Sequence, residues 1–238
     1  MNYQPKRFNP MDVTTWQYFN PLIIAHDVGR SRDRSTAVIG GPPPHVFPMQ
    51  PPLIGISELI ELPQGLFGSA RASALAAVDT RYHNNALIVA DLSNDASYAE
   101  ILYRTFGPRI IGLHITRHGN GMSAETRPVS DGYISVYTIG RAYLLEQFHN
   151  LIISDQIRAP NNDMWRRAFA QLEALQPEWR EGGPVYSCPN GQHDDLGISC
   201  AMLAWLARHP HLQHWVRVVA RSRRPPPAYN PPSKIAWC

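Results

Sequence analysis

Residues 191–206 read GQHDDLGISCAMLAWL: two adjacent carboxylates, Asp194 and Asp195, followed at once by an apolar run. Leu196, Cys200, Leu203, Ala204 and Ala207 recur at helical spacing, which predicts a helix with one buried face. Its first turn suits the two acids, because the positive end of the helix dipole favours negative charge there. Taken alone the stretch is an ordinary helix start, since Asp before an apolar run is a standard N-cap. Any further meaning depends on what the rest of the chain brings to the same place.

The bulk properties narrow the field. At 238 residues, 44% hydrophobic and 17% charged, the sequence is that of a globular protein with one large domain or two small ones. Eleven of the 22 prolines cluster at 42–44, 48–52 and 225–232, so they mark loops and a tail rather than a fibrous repeat. A net charge of +3 is compatible with a polyanionic partner. Cys188, Cys200 and Cys238 have no paired spacing, which predicts reduced thiols rather than a disulfide framework. No apolar run approaches the roughly 20 residues that span a bilayer, and no secretory h-region is present. The expectation is a soluble protein of the cytoplasm.

Three parts are expected: an N-terminal arm over 1–20, a main domain over 21–219, and a basic, proline-rich tail over 220–238 with Arg221, Arg223, Arg224 and Lys234. Within the main domain, residues 22–25 form a short apolar strand that delivers His26, Asp27 and Gly29 at its end. A hairpin leads to a second strand over 36–39, and 54–62 makes a third, antiparallel strand. The alanine-rich stretch 69–82 predicts a helix, and 86–90 a compact strand that also ends in an aspartate, Asp91. A helix over 96–106 follows, stopped by Gly107-Pro108, and then a strand over 110–115. Residues 119–132, glycine-rich and polar, read as a mobile loop, with a short strand over 133–137. Helices are expected over 139–154 and 165–175, a short edge segment over 157–159, and a turn near Gly182-Gly183. The order is that of a mixed α/β fold with a hairpin-bearing first half, flanked by helices.

Two strands far apart in sequence therefore end in Asp27 and Asp91, and a third acidic station stands at Asp194-Asp195. Neighbouring strands lie about 4.8 Å apart, so the two strand acids can share a cation if their strands adjoin. Gathering such acids without a cation is costly, because like charges raise one another's pKa. Clustered carboxylates point to Mg²⁺ or Mn²⁺, hard ions that take oxygen ligands. A pair of such ions serves phosphodiester hydrolysis. Each aspartate also has a plain structural explanation: Asp27 in turn chemistry before Gly29, Asp91 as a cap for the next helix.

On these residues the chain resembles the nuclease domain of phage large terminase subunits, which has the RNase H-like (RuvC-like) fold. The matching segments are IIAHDVGRSRDRSTAVI (23–39), ALIVADLSNDASYAEIL (86–102), IIGLHIT (110–116) and HDDLGISCAMLAWL (193–206). The resemblance implies a central mixed sheet of five or more strands, the first three antiparallel, and two-metal cleavage of double-stranded DNA during genome packaging. It implies Asp27, Asp91, Asp194 and Asp195 as metal ligands, with Asp194 favoured as the direct ligand of the last pair and Asp195 as ligand or supporting acid. His193 and Asp33 are candidates for supporting roles beside them. Arg30, Arg32, Arg34 and Arg117 are candidates to neutralise DNA phosphates.

Two departures matter. Where the family commonly has a glycine soon after the second acid, this chain has Leu92-Ser93-Asn94. It also lacks the G-x-x-x-x-G-K-[ST] phosphate loop of a packaging ATPase. The sequence is therefore either an excised domain or a stand-alone protein of the same fold whose ATPase is a separate chain, and the expected partners are double-stranded DNA, a packaging ATPase and a portal or small terminase subunit. A non-catalytic DNA-binding or assembly module of the same fold, or a resolvase- or transposase-type nuclease, are the alternative readings. A zinc site is not expected, because Cys188 and His193 have no second ligand pair.

Overall fold

The computed structural model describes residues 19–29, 34–43, 53–93, 95–117, 121–180, 183–187 and 194–222. Strand β1 (Ile23–Asp27) pairs antiparallel with β2 (Thr36–Gly41), and β2 with β3 (Ile54–Glu61), as the sequence predicts. Helix α1 (Gly68–Thr80) crosses to β4 (Leu87–Asp91), which returns parallel to β1 on its other side. Helix α2 (Tyr98–Phe106) and a 3-10 turn (Gly107–Arg109) lead to β5 (Ile110–Thr116), parallel to β4. Next come β6 (Met122–Val129), β7 (Gly132–Gly140), α3 (Arg141–Ile153), β8 (Ile157–Arg158) and α4 (Asp163–Ala174). A two-stranded ribbon of β9 (Gln176–Arg180) and β10 (Gly183–Ser187) precedes α5 (Asp195–Ala207) and α6 (Leu212–Ser222).

Among the described residues the main sheet has eight strands in the order β6-β7-β5-β4-β1-β2-β3-β8. Alternation along the strands divides the core into two layers. On one face Ile24, Ile88, Ala90 and Val136 pack with Leu75 of α1 and Leu102 of α2. On the other, Ile23, Ala25, Val38, Val89 and Leu113 pack under α3, α4, α5 and α6. No described helix is long and apolar enough to cross a membrane.

The sheet is tightest where β2 meets β3. The register shifts between Ile39 and Gly40, and a Cβ on Gly40 would stand 2.0 Å from the carbonyl oxygen of Gly55. Only glycine admits so close an approach of two backbones.

Three elements differ from the sequence reading. The predicted loop over 119–132 contains β6, and its partner β7 runs nine residues rather than five. Strand β6 is an edge strand, exposed along most of its length, so it lacks the apolar alternation that announces a half-buried strand. Backbone pairing with β7 forms it instead. The expected turn falls partly on residues outside the described ones, but β9 and β10 on either side of it pair antiparallel, with Arg180 opposite Gly183, and the sequence did not announce β9. Helix α5 buries every residue from Leu196 to Leu206 rather than a single face. It lies between the β1–β2 pair and the helices α3 and α4, and a helix enclosed on all sides is apolar all round. At Gly197 a Cβ would meet Leu172 of α4 at 2.9 Å, so that small residue sets how closely the two helices pack.

Candidate metal centre

The β1–β4 register brings the strand acids together. Ile23 pairs with Leu87 and His26 with Ala90, so Asp27 and Asp91 are the next residues on two adjacent parallel strands. Both point to the face that α5 covers, and they are only 9% and 8% exposed. Burial pushes the Asp27 carboxyl well above the ordinary carboxylate range, and the charges of Asp91 and then Asp195 push it further. The Arg141 guanidinium and the Val28 backbone oppose this. Asp91 is raised too, first by its burial, against hydrogen bonds from Ser93 and the Ile115 backbone and the charge of His114.

Ser93 stands where the resembled family has a glycine nearby, and it holds Asp91 in place. Its backbone N–H donates to Asp91 Oδ1 at 2.9 Å, and its hydroxyl donates to the same oxygen. The Ile115 N–H in turn donates to Ser93 Oγ at 2.6 Å, tying the acid to the end of β5.

The helix acids divide. Asp194 is the residue before α5, yet its carboxylate makes no capping hydrogen bond. The capping is done from outside: Gln171 Oε1 on α4 accepts from the N–H groups of Leu196 (3.1 Å) and Gly197 (3.2 Å). Asp194 instead forms an ion pair with Arg141, the first residue of α3. Asp195 is the member whose charge acts on Asp27. Thr36, which pairs with Asp27 across β1 and β2, donates its hydroxyl to the Asp195 carbonyl at 3.2 Å and lies 2.6 Å from Ser199 Oγ. The start of α5 is thereby attached to the strand that flanks Asp27.

Arg141 was not singled out in the sequence. It follows Gly140, the last residue of β7, and β7 runs parallel to β5, so its end lies along the same edge as Asp91. That signal requires knowing that β7 adjoins β5, which the polar stretch before it obscures. Gln171 carried no signal, being one polar residue in a helix.

Of the expected phosphate-binding arginines, Arg34 makes an ion pair with Glu61 at 2.7 Å, and Arg167 shares that glutamate. Arg117 is exposed just after β5. Arg30, Arg32, Asp33 and His193 lie outside the described residues.

Among the described residues no three His, Cys, Asp or Glu side chains close into a ready-made metal cage. The chemistry of the donors is nevertheless that of a hard-cation site: buried carboxylate oxygens that repel one another and that a divalent ion would relieve.

No family model and no curated protein sequence matches the chain. Solved structures do. The large terminase nuclease from thermophilic phage G20c superposes with a TM-score of 0.52 at 18% identity, over 79% of this chain and 83% of that one. The fold is that of the large terminase nucleases. The same G20c nuclease with bound cobalt gives a TM-score of 0.53 at 19% identity, over 78% of this chain and 82% of the other. The Thermus phage P74-26 large terminase nuclease domain gives 0.51 at 17%, over 81% and 84%.

Proposed function

We propose that this protein is a metal-dependent endonuclease that cuts double-stranded DNA during viral genome packaging. The observation that carries the reading is the placement of Asp27 and Asp91 on adjacent strand ends with Asp195 attached over them. Concentrated buried negative charge is unfavourable to a protein that only binds DNA, and it suits one that binds divalent cations. The G20c nuclease, similar in fold, has been crystallised with magnesium and with cobalt.

Asp27, Asp91 and Asp195 would hold two ions, Mg²⁺ or Mn²⁺, with Asp194 beside them. Bound there, the ions would activate water and stabilise the leaving oxygen of a phosphodiester. The protein's own contribution is placement. Ser93 orients Asp91, Thr36 fixes the start of α5, and Gln171 relieves the helix acids of capping. Arg141 neutralises Asp194, which leaves Asp195 as the helix acid facing Asp27; we therefore assign the direct role to Asp195 rather than to Asp194. Arg117 would contact phosphate, and a packaging ATPase with a portal or small terminase subunit would complete the assembly.

Purified protein with Mn²⁺ or Mg²⁺ is expected to nick and linearise plasmid DNA, and Asp91→Ala to abolish this. Cutting that persists in the variant or in excess chelator overturns the proposal. Tight DNA binding with neither metal uptake nor cutting would identify a non-catalytic module instead.

A further inference from the structure

Arg71 is a buried cation outside the set of acids and their partners. It stands in the first turn of α1 and is only 5% exposed. Among the described residues no carboxylate forms an ion pair with it. A guanidinium keeps its charge in the interior, so burying it is costly unless hydrogen bonds replace its hydration. Here backbone carbonyls replace it. Nη2 donates to Leu66 O at 2.9 Å and to Gly29 O at 3.1 Å, and Nε donates to Leu66 O at 3.2 Å. The guanidinium carbon lies 5.4 Å from the centre of the Tyr98 ring, whose hydroxyl is 3.4 Å from Nε2 of His26.

The topology brings this side chain to the acids. Thr36 lies opposite Asp27 on one side and Glu61 on the other, so β1 and β3 end at the same edge of the sheet. Residues 62–67 then lead into α1, whose first turn comes back to Gly29, two residues beyond Asp27. The backbone after Asp27 is held at each step. The Val28 N–H donates to the Asp27 carboxylate, and the Gly29 N–H donates to Ser35 Oγ at 3.1 Å. The Gly29 carbonyl is held by Arg71, whose planar fork reaches two loops at once.

We infer that Arg71 is a positioning residue for the metal centre: by bridging the Gly29 and Leu66 carbonyls it fixes the turn after β1, and with it the direction in which Asp27 presents its carboxylate. The role presupposes that Asp27 is a metal ligand, as proposed above. Packing alone has no need of the charge, which costs free energy to bury. Arg71 acts through the Gly29 backbone, in the way that groups behind a metal ligand orient it and tune its affinity.

The test compares the full native chain with Arg71→Met and Arg71→Lys. In EDTA, amide hydrogen exchange followed by NMR is expected to quicken at Val28 and Gly29 in Arg71→Met, with Ile24 and Ile88 unchanged. Mn²⁺ affinity, read by electron paramagnetic resonance, is expected to weaken by about 10–100-fold. On plasmid DNA, kcat is expected to fall while KM stays, because a side chain buried behind the turn makes no contact with the duplex. Arg71→Lys keeps a cation but not the fork, so it is expected to show the same losses, and it decides the matter if a melting scan shows that Arg71→Met does not fold. Native exchange at Val28 and Gly29 with native Mn²⁺ affinity overturns the inference. So does a raised KM alone, which would make Arg71 a DNA contact, and so does equally faster exchange throughout β1, β4 and α1, which would make it a support of the whole fold. A native chain that takes up no Mn²⁺ refutes the nuclease reading instead, and exchange at Val28 and Gly29 then decides whether Arg71 fixes the turn.

Discussion

Gln171 caps a helix to which it does not belong: its Oε1 accepts from the Leu196 N–H at 3.1 Å and from the Gly197 N–H at 3.2 Å. An acid before a helix ordinarily satisfies those donors itself. Here α4 does so, and Asp194 makes its ion pair with Arg141 instead. Gln171→Leu removes the acceptor and leaves two buried donors, at a cost of about 1–2 kcal/mol in urea unfolding. DNA cleavage should fall with it, while Gln171→Glu, which keeps an acceptor, should retain more of both.

Thr36 links Asp27's partner strand to α5 through its hydroxyl. Thr36→Val keeps the volume and loses about 1–2 kcal/mol, since the Asp195 carbonyl and the buried Ser199 hydroxyl are deprived of a partner. Thr36→Ser should restore both stability and plasmid cutting. Cutting at the native rate by Thr36→Val would show that the position of α5 does not depend on this bond.

Arg141 opposes the repulsion among the acids and occupies Asp194. Arg141→Gln is expected to lower the stability of the metal-free protein by about 1–3 kcal/mol, because a largely buried carboxylate loses its counter-charge. Mn²⁺ binding, followed by electron paramagnetic resonance, should tighten, since a competing cation has been removed.

The raised pKa of Asp27 has a definite sign. Between the ordinary carboxylate value near 4 and the raised folded value, the folded chain binds more protons than the unfolded one. Its contribution to stability is present at low pH and is lost as the pH rises through the folded pKa. In EDTA, Asp27→Asn should therefore gain stability over the native chain as the pH rises towards neutral, and Mn²⁺ should reduce that difference. Urea midpoints across this range measure it.

His26 works in the opposite direction. It is fully buried behind Asp27, its Nδ1 bonded to the Thr36 carbonyl at 2.9 Å, and burial holds its pKa down to about 4. The unfolded imidazole binds its proton near 6.5, so stability falls as the pH drops from there towards 4, by an amount on the order of 3 kcal/mol. His26→Gln should flatten that part of the profile while lowering stability at neutral pH.

How much of this could be read in advance depends on where each signal resides. β1, β4 and β5 are short apolar runs bounded by polar or turn residues, and the sequence shows them nearly to the residue. The acids were visible because two of those runs end in aspartate and a third acidic station opens the most apolar helix. β6 was hidden, because an exposed edge strand needs no apolar pattern. Arg141 and Gln171 were hidden for a different reason: their roles come from packing neighbours 53 and 25 residues away, and spacing along one element reports only on that element.

The sequence by itself determined the order of strands and helices and the acidic stations, which are local properties of the chain. Only the tertiary structure decided that β1 and β4 adjoin in a register that sets Asp27 beside Asp91, and that α4 caps α5. It also decided that Arg141 pairs with Asp194 while the charge of Asp195 bears on Asp27. Two neighbouring aspartates on one helix start are indistinguishable in sequence. Which way each faces depends on the groups that the sheet and the other helices present to it.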